Sequence, residues 1–270
     1  MNTLLVSALS TLVFCAPGYP GGAGDAQPYL DQFAKEAVTA AGWPAGGLAA
    51  IYDPTEEGGL AKLQQADAVL AFVPYPFFVE HGAQLHLTPL AQADVAGTGT
   101  QQKWTLVAKP GRVTSPASLG GFTILSSAGY APQFVRHSAL QSWPVPADVK
   151  IVLNGQTLSA LRRVANGEPV AVLLDQTQTE ALPTLPFAAD VKAVTVSPPL
   201  PVAIVAVVNN RVPAAQARTF QAGLLKLGHA EGNKEALGSL RLNGFVMPQL
   251  PQPLPAHGDT THHAPPSGSK

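Results

Sequence analysis

Short apolar runs alternate with amphipathic stretches along most of this 270-residue chain, and that alternation is what most limits the folds open to it. Leu12 to Ala16, Leu48 to Tyr52 and Ala68 to Val73 are β-prone, while Gln27 to Ala41 and Glu57 to Gln65 carry helical spacing. A β-α-β-α-β order predicts an α/β fold of parallel strands with helices on both faces, in which ligands gather at the carboxyl ends of the strands. A second set follows. Its strands are Trp104 to Ala108, Phe122 to Leu125, Val149 to Leu153, Val170 to Leu174 and Val191 to Val196, with helices over Ala131 to Leu140 and Thr157 to Asn166. A last buried strand, Val202 to Val208, precedes helices over Ala214 to Leu227 and Lys234 to Leu240.

Between the sets lies Ala93 to Gln102, rich in Gly, Thr and Gln, and the second passage is Ser197-Pro-Pro-Leu-Pro201. Two crossings between two α/β units predict a bilobal protein with an inter-lobe cleft. The first lobe is expected to be discontinuous, residues 11–95 plus 203–250, and the second to span 103–198. Residues 251–270 lack any apolar period and read as a disordered tail. Residues 1–10 stay open between the end of an export signal, since Ala8-Leu9-Ser10 has a small-x-small form, and a plain first strand beginning near Leu4.

Composition removes several functions. Charged residues make up 12% of the chain and the net charge is -1, so the basic footprint of a nucleic-acid binder is missing. Cys15, the single cysteine, rules out an internal disulfide and a cysteine-based metal cluster. There is no Walker loop, no Gly-x-Gly-x-x-Gly after the first strand and no His-Glu-x-x-His, so no cofactor and no metal are expected. Tail histidines His257, His262 and His263 read as solvated chain. A triad of Ser126 or Ser127 with His137 and Asp175 fails locally, because Leu125 stands where a nucleophile elbow needs glycine.

One segment carries a ligand signal of its own. Phe122 to Pro132 runs from an apolar strand into Ser126, Ser127 and Gly129 and then into a helix start, which reads as a cradle of backbone N–H groups for an anion or as ordinary helix capping.

The ordered motifs resemble the phosphate/phosphonate-binding family of periplasmic solute-binding proteins, the type II receptors of ABC importers. Asp67-Ala-Val-Leu-Ala-Phe-Val-Pro-Tyr-Pro76, Leu119 to Tyr130, Gly167-Glu-Pro-Val-Ala-Val-Leu-Leu-Asp175, Ser197-Pro-Pro-Leu-Pro201 and Leu242-Asn-Gly-Phe-Val-Met-Pro248 match its segments in sequence order, over roughly Leu12 to Pro248. The resemblance implies a monomeric, exported venus-flytrap receptor that breaks no bond and works with a membrane permease. It implies ligand contacts from Ser126, Ser127, Gly129 and Tyr130, from Pro74 and Tyr75, and from Asp175. Tyr19 joins them from the glycine-rich loop after the first strand, and Tyr52 and Asp53 are candidates for the opposite wall, with Glu57 read in preference as a carboxylate at a helix N-terminus.

Departures from the family pattern bear on the ligand. Ala68, Val73 and Ala128 replace more polar or smaller residues, Phe14, Phe72, Phe77 and Phe78 cluster around the expected cleft, and Arg136 is the one cation near the matched motifs. A small oxyanion such as phosphate or a phosphonate is the first reading of the ligand. An apolar or amphipathic molecule, a lipid or sterol-like compound, is the alternative, and a sensory receptor reporting to a membrane partner is a further one.

Overall fold

The computed structural model describes residues 10–18, 23–229 and 234–251. In chain order the strands are β1 (Ser10–Cys15), β2 (Leu48–Asp53), β3 (Ala68–Pro74), β4 (Thr88–Val95), β5 (Gln101–Gln102), β6 (Thr105–Ala108), β7 (Thr123–Ser126), β8 (Lys150–Leu153), β9 (Val170–Leu174), β10 (Lys192–Val196), β11 (Leu200–Pro201), β12 (Ala203–Val207) and β13 (Leu242–Val246). The helices are α1 (Ala23–Ala41), α2 (Glu56–Gln64), α3 (Tyr75–His81), α4 (Pro132–Phe134, continued as a π turn over Val135–Ala139), α5 (Thr157–Ala165), α6 (Gln176–Ala181), α7 (Ala214–Leu227) and α8 (Lys234–Ser239).

Two sheets organise them. The larger runs β13-β4-β12-β3-β1-β2 and the smaller β10-β6-β9-β7-β8, and a two-stranded antiparallel ribbon, β5 with β11, carries both crossings. Both sheets are mixed, where the strand pattern predicts parallel ones. Strands followed by a returning helix run toward the gap between the sheets: β1 pairs parallel with β2 and β3, and β7 with β8 and β9. Strands that enter straight from a crossing start at the gap and run away from it, so β6 is antiparallel to β9, and β12 to both β3 and β4. No helical crossover precedes them to restore the parallel sense.

Period-two alternation explains why β1 is apolar throughout. Leu12 and Phe14 point into a core with α1 and α7, which contains Phe33, Leu70, Phe220 and Leu224. Val13 and Cys15 face the opposite core, which continues through Val73, Tyr75 and Phe77 to Trp104, Ile124 and Phe134 beneath the smaller sheet. A third core, around Val107, Leu161 and Val172, lies on that sheet's other side. Phe134 joins the two units, since its ring meets Tyr75 of α3 edge-on at 6.0 Å and Trp104 beside the ribbon at 5.2 Å.

The readings of residues 1–9, of most of the tail and of Tyr19 fall outside the described residues. Among the described residues no helix is long and apolar enough to cross a membrane.

Candidate ligand-binding site

The carboxyl ends of β1, β3 and β4 and the starts of β12 and β13 face the ends of β7 and β9 across a cleft of about 620 Å³. One wall is apolar: Phe14, Phe72, Val73, Pro74, Val202, Ala203 and Leu242. Phe14 and Phe72 pack ring to ring at 4.9 Å, and Phe72 meets Phe245 at 5.9 Å, so this wall is an outcrop of the rigid core. Polar groups come from Tyr52, Thr98, Gln102, Ser127, Asp175, Thr177, Gln178, Glu180 and Arg241. Arg241, at a left-handed φ of 56° in the turn before β13, is the one cation among the lining residues.

Of the residues proposed from sequence, Tyr52, Pro74, Ser127 and Asp175 share this cleft. Ser127 also marks where the units meet, because a Cβ on Gly18 would lie 2.5 Å from the Ser127 carbonyl oxygen. The other members of the corner are placed differently. Ser126 is buried, its hydroxyl donating to the Leu173 carbonyl at 2.8 Å and accepting from the Ala128 N–H at 3.1 Å. Gly129 fits tightly against the Val152–Leu153 backbone of β8, and Tyr130 is 9% exposed within the core that joins the units. Tyr75 is buried too, stacked on Phe78, and burial pushes its phenol up.

The N–H groups of the corner are largely engaged inside the protein. Gly129 donates to the Ser126 carbonyl and Ala131 to the Ala128 carbonyl, at 3.0 Å each. At the helix start the Gln133 N–H donates to the Glu80 carboxylate of α3 at 2.8 Å, so a carboxylate of the chain itself takes the place beside those amides that a dipole would offer an anion. Arg136 is equally committed, donating to the carbonyls of Val145, Pro146 and Val149. On the opposite side Asp53 accepts from Lys62 at 2.7 Å and from Thr55. Burial raises the Asp53 carboxyl, but those donors outweigh it and hold the group below its ordinary range. Cys15 is desolvated beside Asp53 and Glu56, which pushes its thiol up to about 12 and leaves it inert.

Asp175 caps α6, accepting from the Gln178 N–H at 2.8 Å while the Gln178 side chain accepts from the Asp175 N–H. Burial raises its carboxyl more than the N–H groups of Gln178 and Thr177 lower it. A raised carboxyl stabilises the fold below its unfolded value, near pH 4, and that contribution is lost as pH rises through the folded value. Asp175→Asn keeps the capping oxygen and removes the charge. Thermal melts should therefore show the variant gaining on the wild type as pH rises from about 4 to 7, and a constant offset would place the burial elsewhere.

Residues 68–251 match the family model for the periplasmic substrate-binding protein of phosphonate ABC transporters. The chain belongs to that family. It is a binding protein, not an enzyme, and among the described residues no group of three or more His, Cys, Asp or Glu side chains could hold a metal ion. The fold is the type II architecture, and solved structures repeat it. XAC2383 from Xanthomonas citri, solved with chloride, is 15% identical with a TM-score of 0.65, covering 89% of this chain and 92% of that one. A binding protein component of an ABC phosphonate transporter from Pseudomonas aeruginosa is 16% identical at a TM-score of 0.57, covering 89% and 82%. PhnD1 from Prochlorococcus marinus, in complex with methylphosphonate, is 15% identical at 0.57, covering 90% and 94%. No curated protein matches the chain.

Thr98, Gln102, Thr177, Gln178, Glu180 and Arg241 are polar cleft residues that escaped the sequence reading. Gln102 lies in a crossing with no periodicity, and Arg241 directly precedes the Leu242–Pro248 motif. A signal for Arg241 existed: a cation one residue before a strand that starts at the cleft.

Proposed function

We propose that the protein is the extracytoplasmic receptor of an ABC-type importer and that its cleft closes on an amphipathic organic solute. Family membership supports the receptor, its periplasmic setting and a cognate permease as partner. The observation that carries the ligand reading is the cleft itself, about 620 Å³ with a continuous wall from Phe14 to Leu242, a size that suits an organic molecule better than a bare oxyanion. Closure would bring Ser127 and Asp175 over a solute resting on that wall. The lobes of this reading are residues 11–95 plus 203–250, and 103–198.

A second reading, a small oxyanion such as phosphate or a phosphonate, is favoured by the Ser127 hydroxyl and by Arg241, both lining the cleft. PhnD1 with methylphosphonate is a relative in keeping with it. Calorimetry with inorganic phosphate and with methylphosphonate, alongside native mass spectrometry of gently purified protein, separates the two. An organic adduct of a few hundred daltons with no heat from millimolar phosphate or methylphosphonate is the expected outcome. Micromolar binding of either anion would replace the amphipathic solute with the oxyanion.

A further inference from the structure

Two glutamines lie almost wholly buried near the crossings, and they are treated differently. Gln92 on β4, 1% exposed, uses both ends of its carboxamide: it donates to the Thr100 carbonyl at 2.5 Å and accepts from the Gln249 N–H at 3.0 Å. Gln102, the last residue of β5, is 4% exposed and lines the cleft, yet its Nε2 has no acceptor among the described residues. A buried amide donor without a partner destabilises a fold and is rare unless something else supplies the acceptor. The Trp104 Nε1, two residues on, also lacks an acceptor but does not line the cleft, whereas Ser197 Oγ nearby is satisfied, accepting from the Trp104 N–H at 2.9 Å and donating to the Pro198 carbonyl.

The lining acids have partners, and so does the lining Gln178 carboxamide, which donates to the Thr157 hydroxyl at 3.1 Å. Asp175 accepts from the Gln178 N–H and Glu180 from the Gln176 carboxamide. The Arg241 guanidinium has no hydrogen bond or ion pair among the described residues. Its turn is tied to the 95–99 turn that leads into β5, since the Ala96 N–H donates to the Arg241 carbonyl at 2.8 Å. Two nitrogen donors on this side of the cleft, one buried amide and one guanidinium, thus lack an acceptor among the described residues.

From this we infer that Gln102 determines specificity: its Nε2 donates to the head group of an organic anion whose apolar body rests on Phe14 and Phe72, with Arg241 supplying the countercharge. The inference rests on the amphipathic reading of the cleft and adds the sign of the head group and the residue that reads it. A carboxylate and a phosphonate head present the same acceptor chemistry. The two are separated by using both as probes.

The test uses the full chain with octanoate, octylphosphonate and 1-octanol as competitors for the fluorescent anion 8-anilinonaphthalene-1-sulfonate. One or both octyl anions should bind roughly tenfold or more tightly than octanol, and which of them leads identifies the head group. Gln102→Leu should remove most of that advantage for the anions, leaving only the share that Arg241 supplies, and leave octanol unchanged. Because the substitution removes an unpaired buried amide, its Tm should stay level or rise by about 2 °C, which a merely structural glutamine would not do. Arg241→Gln should cost the anions about fivefold at most, since an exposed charge contributes little. Equal affinity of octanol and both anions, or Gln102→Leu with undiminished anion binding, would overturn the inference while leaving an amphipathic ligand intact. Tight binding of inorganic phosphate in place of the octyl compounds would overturn the amphipathic reading with it.

Discussion

Phe134→Ala is expected to lower stability by about 3–5 kcal/mol, a fall in Tm on the order of 10 °C for a chain of this size. The ring is fully buried at the start of α4, between Tyr75 and Trp104, in the one core that passes beneath both sheets. Its neighbours come from α3 and from the end of the ribbon, so they cannot collapse into the hole without moving one unit against the other. The cavity cost should therefore stand near the upper end of its range, and Phe134→Leu, which refills most of the volume, should recover more than half of it. Denaturant titration gives the free energy, and small-angle scattering should show a broader distribution of shapes for the alanine variant. A Tm within 2 °C of the wild type, about the shift a single kcal/mol would cause, would mean that this joint does not hold the units together.

Gly129→Ala should cost about 3 kcal/mol and should do so without acting through the ligand. A Cβ at Gly129 would overlap the Val152 carbonyl and the Leu153 N–H of β8. These atoms are backbone, held by the β7–β8 ladder and by the Asn154 N–H donating to the Ser126 carbonyl, so no side chain can rotate away to make room. The glycine is required by space, since its φ is not left-handed. Gly155→Ala is the matching control: it lines the cleft, a Cβ there meets nothing within 4 Å, and its stability should move by less than about 0.5 kcal/mol. Equal melting temperatures for the Gly129 variant and the wild type would show that β8 can slide.

The positions of the interior strands were legible because strands buried on both faces are apolar from end to end, as Leu12 to Cys15 and Val170 to Leu174 are, and that of α7 because it fills Ala214 to Leu227 with helical spacing. β4 was not legible. Its Pro89, Gln92 and Asp94 interrupt the pattern, and the register against β12 and β13 that makes it a strand is a tertiary fact. Pro74-Tyr75-Pro76 reads as a turn, but Pro76 falls in the first turn of α3, where its missing N–H costs nothing. The residue 126 to 131 corner shows the deeper limit. Serines and a glycine at a helix start look alike whether their N–H groups face a ligand or the protein, and what separates the two is Glu80, a carboxylate 53 residues away in sequence.

The place of β12 has a consequence for how the chain reaches this state. It lies between β3 and β4, yet it is synthesised only after the whole five-stranded sheet, so β3 lacks one neighbour and β4 is cut off from the rest of its sheet until residue 207 has emerged. The six-stranded unit therefore cannot mature ahead of its companion, and an exposed apolar edge persists through most of translation. A chain with so much non-local pairing should refold slowly and pass through a state that chaperones recognise.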